Sequence, residues 1–373
     1  MKKCCILLIN VMPAAVNGQT AAMLQKWRMD VEVKRIMGWG VFIAVIGLLA
    51  GSFILMQGKK SQKDPEKTSI RIGIFLYRGD DTFISTIRLA LEEQAKQYEQ
   101  ETGIKVVLNI EDAKENQNTQ NSQVERMISL GYDALCVNAV DRSMAAGIIE
   151  AARAADVPVV FFNREPVEED MHLWEQVYYV GADAKESAVL QGKIVVDAYK
   201  KDPLSIDING DGKVNYVLLE GESSHQDSLI RTEWSVQTIK DGKVPLEKLT
   251  GGIANWERSQ ASALTQQWLE EFPGEIELII SNNDDMALGA ADAIERMGIT
   301  EKINIVGIDG TPQGVQGLEK GKLLGTVQSD RTEYAHAIFT IAASLACGEN
   351  PGESLDFVDE KYYWSSQKEL LRE

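Results

Sequence analysis

The chain has 373 residues and a formal net charge of −18, so it is long enough for two domains and too acidic to suit nucleic acid as a partner. Residues 1–64 hold nine Lys/Arg against three Asp/Glu, a net of +6, and the remainder therefore carries −24. The three histidines and four cysteines have no metal-ligand spacing, which argues against a multi-histidine or cysteine-based metal centre.

The N-terminal part divides into three segments. Residues 1–35 show little structural pattern, and residues 1–28 precede an alternative start at Met29. Residues 36–58 contain no charged residue, are long enough to span a bilayer and lack a cleavage signature. We therefore expect an uncleaved transmembrane anchor followed by a polar linker, residues 59–69, and a cleaved signal peptide is the second interpretation.

From residue 70 onward, apolar strands alternate with amphipathic helices. The predicted strands are 70–76, 106–110, 134–137, 157–162, 214–219, 278–280 and 303–308. The predicted helices are 84–98, 123–130, 144–154, 185–199, 228–240, 260–270, 286–297 and 333–346. This alternation is typical of βαβ units with parallel sheets, and the strands are too many for one compact sheet. The pattern predicts an α/β protein with two Rossmann-like lobes.

An oxygen-rich loop lies near the start of the second set of elements. Its candidate ligands are four side chains and one main-chain carbonyl, from Asp207, Asn209, Asp211, Asn215 and Lys213 respectively. Their spacing, with Gly212 at the sharp turn, is that of an EF-hand calcium loop. Position twelve is Leu218 rather than Glu, so a closing carboxylate has to come from elsewhere. The alternative is a tight Asp/Asn/Gly turn that leads into a strand.

Polar side chains follow the carboxyl ends of five predicted strands. They are Tyr77 and Asp81, Asn163, Glu222 and His225, Asn283 and Asp284, and Asp309. In open parallel sheets, ligands bind outside these strand ends. Asp227 and Arg231 follow on the next helix, while Phe83 and Trp256 add flat aromatic faces. Carboxylates, amides and aromatic faces together suit a neutral polyol, although each residue alone is more simply a helix cap or turn former.

Residues 70 to about 364 resemble the periplasmic galactose/glucose-binding proteins of bacterial sugar ABC transport and chemotaxis. The matching stretches are 77–83 (YRGDDTF), 161–166 (FFNREP), 221–227 (GESSHQD) with Arg231, 281–284 (SNND) and 307–309 (GID). The resemblance implies that the sugar ligands are Tyr77, Asp81, Phe83, Asn163, His225, Asp227, Arg231, Trp256, Asn283 and Asp309. One position departs from the family pattern, because Ser329 stands where the family has a sugar-binding Asn. The resemblance therefore leaves the hexose preference open.

The resemblance also implies a calcium ion and a hinged, monomeric architecture. A distant glutamate closes the family's calcium loop, and the matching position is Glu277. The implied lobes are residues 70–180 with 331–363 and residues 181–330 with 364–373. Three hinge crossings would join them, near Val180, Ser329 and Trp364.

We expect a solute-binding protein, not an enzyme, that lies outside the cytoplasmic membrane and hands hexose to an ABC transporter permease. A membrane-anchored sensor for another monosaccharide, acting on a chemoreceptor or sensor kinase, uses the same cleft. A regulator of the lactose-repressor type would need a helix-turn-helix where residues 36–58 predict a membrane span. A glycosidase could use Asp81 and Asp309 as its carboxylate pair, but ligation of sugar hydroxyls explains these residues better.

Overall fold

The computed structural model describes Met29 and residues 67–372. The predicted transmembrane segment, residues 36–58, lies outside the described residues. Among the helices of the described residues, none is both long enough and apolar enough to cross a bilayer.

The first half of the described chain alternates strand and helix. Its elements are β1 (Ser69–Leu76), α1 (Thr82–Thr102), β2 (Lys105–Asp112), α2 (Gln117–Ser129), β3 (Ala134–Val137), α3 (Ala145–Ala154), β4 (Val159–Phe162), α4 (Glu168–Met171) and β5 (Val177–Ala182). The short strands β3 and β4 are buried along their whole length, because helices cover both faces of a parallel sheet. Their continuous apolar runs therefore belong to the interior of the first lobe.

The second half repeats the pattern and then returns to the first lobe. Its elements are α5 (Ala184–Lys201), β6 (Val214–Glu220), α6 (Gln226–Asp241), β7 (Leu246–Ile253), α7 (Arg258–Glu271), β8 (Leu278–Ser281), α8 (Asp284–Arg296), β9 (Asn304–Asp309), α9 (Pro312–Glu319), β10 (Gly325–Ser329), α10 (Arg331–Ala346), β11 (Tyr362–Ser365) and β12 (Gln367–Leu371). Helix α10 packs its buried face on α1 and thus belongs to the first lobe.

The described strands form two six-stranded sheets. The first has the order β11-β5-β4-β3-β1-β2 and the second has the order β12-β10-β9-β8-β6-β7. Strand β12 runs antiparallel to β10, and the other pairings are parallel. The predicted α/β architecture of two Rossmann-like lobes is therefore confirmed.

The chain passes between the lobes at three points. Asp183 and Asp330 occupy the first two crossings, and each caps the helix that follows by accepting hydrogen bonds from backbone N–H groups. The third crossing is Ser366, between β11 and β12. Residues 181–182 and 364–365 belong to strands of the first sheet, so the first and third boundaries drawn from the sequence fall two residues too early.

Candidate functional site

One cleft is lined by side chains from both lobes. The lining residues are Tyr77, Asp81, Phe83, Ile84, Asn163, Arg164, His225, Asp227, Arg231, Trp256, Asn283 and Asp309. The structure thus brings together every residue predicted for the sugar site except Ser329.

Asp81 has two roles on the first-lobe side of the cleft. Its Oδ1 accepts a hydrogen bond from Ile84 N at 2.8 Å and caps helix α1, while its Oδ2 accepts one from the Tyr77 hydroxyl at 2.7 Å. A cap fixes the carboxylate relative to the helix. Both carboxylate oxygens keep free lone pairs, so Asp81 can accept further hydrogen bonds from a ligand in the cleft.

Asn163 follows β4 in a backbone conformation that residues other than glycine rarely adopt. Its φ is +63°, and the Tyr179 hydroxyl donates to its carbonyl at 2.9 Å. Asn138 Nδ2 donates to the Asn163 side-chain oxygen at 3.1 Å. The Asn163 amide nitrogen is thereby directed away from this contact and is a candidate donor to a ligand.

A buried ion-pair network lies on the second-lobe side. Arg231 Nη2 is 3.2 Å from Asp227 Oδ2, and Arg231 Nη1 is 3.6 Å from Asp309 Oδ1. Arg231 Nη1 also donates to the Asn282 carbonyl at 3.0 Å, while its buried Nε has no protein partner. Burial raises the pKa of both carboxyls, well above the ordinary value for Asp309, and Arg231 opposes that shift. The network therefore leaves hydrogen-bonding capacity for a ligand.

His225 and Trp256 form one wall of the second-lobe side. Asp227 N donates to His225 Nδ1 at 3.2 Å, which places the proton of the neutral ring on Nε2. Burial lowers the pKa of His225 well below 6.5, and the neighbouring arginines lower it further. The rings of His225 and Trp256 meet edge to face with centroids 5.2 Å apart. Trp256 also crosses Gly221 so closely that a Cβ there would lie 2.2 Å from the indole.

The remaining polar residues of the second lobe lie at strand ends. Asn283 caps helix α8 by accepting a hydrogen bond from Met286 N at 2.9 Å. Asp309 ends β9 with a φ of +119°, and Trp256 also has a positive φ, +65°. Such backbone strain costs of the order of 1–3 kcal/mol per residue and persists where surrounding packing imposes it. Both strained residues line the cleft.

The residues that line the cleft differ from the predicted sugar-binding residues at two positions. Ser329 is buried at the end of β10, and its side chain is not among the groups that line the cleft. Arg164 does line the cleft but was not predicted as a site residue. Its guanidinium lies 3.8 Å from the centroid of the Tyr77 ring and is paired with Glu222 of the other lobe. In the sequence, Arg164 is marked only by its position directly after Asn163, and its role depends on Glu222 far along the chain.

The oxygen-rich loop folds with side chains turned back onto its own backbone. Asp207 accepts hydrogen bonds from Gly210 N and Gly212 N at 2.8 and 3.0 Å. Asn209 Oδ1 accepts one from Asp211 N at 2.8 Å, and Asp211 Oδ1 accepts one from Lys213 N at 2.9 Å. Gly210 and Gly212 both have positive φ, which allows this tight winding.

Glu277 meets this loop from the second sheet. Its Oε1 accepts hydrogen bonds from Ile208 N and Asn209 N at 2.7 and 3.1 Å, and its Oε2 accepts one from Asn215 N at 2.9 Å. Asp207 and Glu277 are 5% and 3% exposed. Two buried carboxylates in an oxygen-only donor set are the chemistry that a hard cation such as Ca²⁺ needs.

The side chains around this loop do not form a closely packed cluster of acids. Within residues 67–372, no three His, Cys, Asp or Glu side chains converge as a ready-made metal-ligand set. Glu277 Oε1 already accepts two N–H groups, so in this arrangement Oε2 is the oxygen with a free lone pair. The donor types fit calcium, whereas bidentate ligation by Glu277 requires its side chain to rotate.

A hydrogen-bonding cleft between two α/β lobes, crossed three times by the chain, defines a two-lobed solute-binding protein. A sequence model of the periplasmic binding protein domain matches residues 72–350, and the chain belongs to that family. The family consists of binding proteins rather than enzymes, which confirms the expectation that this chain is not an enzyme.

Several characterised proteins are similar to this chain over most of its length. The D-galactose/methyl-galactoside binding periplasmic protein of Haemophilus influenzae is 37% identical over 284 residues, which are 76% of this chain and 83% of that protein. The ribose import binding protein of Bacillus subtilis is 26% identical over 271 residues, 73% of this chain and 80% of that one. An ABC transporter solute binding protein from Bacillus halodurans C-125, with bound myo-inositol, superposes with a TM-score of 0.67 at 27% identity and covers 83% of this chain and 96% of its own. These similarities confirm the resemblance recognised in the sequence.

Proposed function

We propose that this protein binds one monosaccharide, D-galactose or D-glucose before others, and delivers it to the permease of an ABC transporter. The observation that carries the proposal is the joint lining of one cleft by Asp81 and Asn163 of the first lobe and by Asp227 and Asp309 of the second. A ligand bonded to both groups bridges the lobes and stabilises their closed arrangement. Hydrogen bonding to sugar hydroxyl groups in this way involves no covalent chemistry.

The aromatic residues support a ring-shaped ligand. Phe83 and Trp256 both line the cleft, and an aromatic face packs well on the apolar C–H face of a pyranose. The hydrogen-bonding residues would surround the rim of that ring, where hydroxyl groups both donate and accept. Ser329, which does not line the cleft, is proposed to act on selectivity through a bridging water.

The three similar proteins are associated with galactose, ribose and myo-inositol, all neutral polyols. Calorimetric titration with D-galactose, D-glucose, D-ribose, xylitol and myo-inositol tests the proposal directly. We expect micromolar or tighter binding of at least one aldohexose. A Kd of 1 μM corresponds to a binding free energy of about −8.2 kcal/mol. Failure of both D-galactose and D-glucose to bind at millimolar concentrations, or tighter binding of one of the other three polyols, would refute it.

The cellular location of the protein and its further partners are part of the same proposal. We infer that the protein works outside the cytoplasmic membrane as a monomer, anchored through residues 36–58, and that a chemoreceptor or sensor kinase is a second partner to test. The anchor is examined by mass spectrometry of the membrane fraction, where a mature N-terminus beyond Gly58 would contradict it.

We also propose that the oxygen-rich loop binds one structural Ca²⁺ ion. The ligands would be the side chains of Asp207, Asn209, Asp211, Asn215 and Glu277, and the carbonyl of Lys213. The burial of Asp207 and Glu277 beside backbone donors supports this assignment. The ion would join the loop to β8 without contacting the sugar, because none of these residues lines the cleft.

A further inference from the structure

Two residues outside the predicted site connect the lobes directly. Arg164 follows β4 of the first lobe, and Glu222 follows β6 of the second. Arg164 Nη1 and Nη2 donate to the two oxygens of Glu222 at 2.9 and 2.7 Å. The side chains are 6% and 21% exposed, so this two-point ion pair is largely removed from water.

The first lobe holds Arg164 in place by itself. Arg164 Nη1 also donates to the Val140 carbonyl at 3.1 Å, and the guanidinium stacks on the Tyr77 ring. Because Val140 and Tyr77 belong to the same lobe as Arg164, the cation is positioned before Glu222 arrives. Closure of the lobes therefore brings Glu222 to an Arg164 side chain that the first lobe already holds in position.

A second ion pair crosses the same cleft mouth. Arg78 follows β1 and contacts Glu257, the residue that precedes α7 of the second lobe. Within its own lobe Arg78 also pairs with Asp80 at 2.8 Å and Glu115 at 3.0 Å. Together, Arg164–Glu222 and Arg78–Glu257 are called the rim pairs below.

We propose that the rim pairs form a latch that stabilises the closed lobes independently of the ligand. Both pairs join one lobe to the other, so opening the cleft separates each cation from its carboxylate. Neither Glu222 nor Glu257 lines the cleft, and neither is needed to bond a ligand there. The effect of the latch on sugar affinity rests on the proposed function. Its effect on closure of the ligand-free lobes does not.

Salt provides a specific signature of such a latch. A neutral monosaccharide carries no charge, so ionic strength has little direct effect on its contacts. When the lobes are open, the separated charges face solvent and salt weakens their attraction, since the Debye length falls from about 30 Å at 0.01 M to about 3 Å at 1 M salt. A latch therefore makes the affinity for a neutral sugar salt-dependent, and mainly through the dissociation rate.

The test compares the wild type with the double variant Glu222→Gln, Glu257→Gln, which keeps side-chain shape and removes both rim carboxylates. At low salt we expect the variant to release D-galactose or D-glucose about tenfold faster, because it leaves Arg164 buried without its anion. Between 10 and 500 mM salt, the wild-type Kd should rise about fivefold and that of the variant less than twofold. Stopped-flow fluorescence and calorimetry measure the two quantities.

Closure without ligand is measured by small-angle scattering. The ligand-free wild type should have a smaller radius of gyration at low salt than at high salt, and the double variant should show the larger value at both. The matched control is Asp292→Asn, because Arg258 and Asp292 pair at 2.7 Å within the second lobe. That variant should behave as the wild type in every measurement.

Each outcome bears on one of the two proposals. Unchanged release rate, salt dependence and radius of gyration in the double variant would overturn the latch. If the wild type binds neither sugar, the proposed function fails, and the scattering comparison alone decides the latch. A folded double variant is verified beforehand by its thermal transition.

Discussion

The two sides of the cleft differ in how their polar side chains are held. On the second-lobe side every predicted ligand that lines the cleft is at most 7% exposed, and Asp227, Arg231 and Asp309 are linked in one network. Among the predicted first-lobe ligands Tyr77 is also buried, at 2% exposed, whereas Asp81, Phe83 and Asn163 are only half-buried. Groups that are already desolvated and oriented lose little freedom when a ligand binds. The second lobe is thus the prepared half of the site, and the first lobe completes it on closure.

The largest expected effect comes from the centre of the prepared half. Arg231→Gln leaves Asp227 and Asp309 buried without their cation, and breaking a buried pair in this way costs about 3–5 kcal/mol. We expect the Kd for sugar to rise at least about a hundredfold, since 1.4 kcal/mol is one decade. The melting temperature should fall as well. Calorimetric titration and differential scanning calorimetry measure these changes.

The matched change in the first lobe is Asp81→Asn. Asn keeps the oxygen that caps α1, so the fold should be little affected, while one hydrogen-bonded charge is lost from the cleft. We expect about a tenfold loss of affinity, corresponding to roughly 1–3 kcal/mol for an unsatisfied polar partner. Equal losses for Arg231→Gln and Asp81→Asn would contradict the distinction between the two sides.

The aromatic residues provide a second comparison. Trp256 is 7% exposed and belongs to the second-lobe core, whereas Phe83 is half-buried and meets Tyr334 edge to face at 5.9 Å. Trp256→Ala should reduce stability by about 3–5 kcal/mol as well as weakening sugar binding about tenfold or more. Phe83→Ala should weaken binding with the smaller loss of stability. Urea unfolding and titration of both variants test this, and a larger stability loss for Phe83→Ala would reverse the assignment.

Calcium should act on the second lobe only. Asp211→Asn retains the Oδ1 acceptor of the turn but removes a ligand charge, so it should leave the melting temperature in chelator unchanged and reduce the increment that calcium adds. Glu277→Gln should lower the melting temperature even in chelator, because Glu277 also accepts three backbone hydrogen bonds. A wild type with the same melting temperature in calcium and in chelator would exclude the metal.

The strands at the centre of each sheet, together with the edge strand β2, were predicted from the sequence, and five other strands were not. Strands β3 and β8 are short, fully buried apolar runs, and both were predicted with bounds within one residue of those observed. The edge strands β7 and β12 mix exposed polar with apolar residues and were missed, as was the edge strand β11. Strands β5 and β10, next to the edges, were also missed, because glycine or polar residues interrupt their apolar runs. An edge strand buries only part of its surface, so its hydrophobic pattern is weak.

The site residues that could be predicted from the sequence are likewise those marked by a local pattern. Asn163 and Asp309 were predicted because a polar residue directly after a buried apolar run is informative. Arg164 was not, because its role depends on Glu222, which lies 58 residues further along the chain. Long charged side chains are usually exposed, and only the folded arrangement shows that this one is 6% exposed.

Acid should weaken the second-lobe side through His225. Since burial lowers the pKa of this imidazole well below 6.5, the neutral ring contributes stability that is complete above about pH 6.5 and is lost as the pH falls. His225→Asn can still accept the hydrogen bond from Asp227 N but does not titrate. We expect the wild type to lose more free energy of unfolding than this variant between pH 7 and pH 5. The raised pKa values of Asp227 and Asp309 act in the opposite direction in both proteins, so the difference isolates His225.

The smallest expected effect concerns selectivity at Ser329. This residue is 3% exposed at the end of β10, and its neighbour Gln328 pairs with Asp309 across the sheet. With the proposed water bridge from Ser329 to the sugar, a longer side chain at this position would replace that water by a direct donor or acceptor. Ser329→Asn should therefore change the ratio of glucose to galactose affinity by about a few-fold, and Ser329→Ala, which only removes a hydroxyl, should change it less. Calorimetry with both sugars on the three proteins measures the ratio, and equal ratios throughout would show that selectivity is set by the side chains that line the cleft.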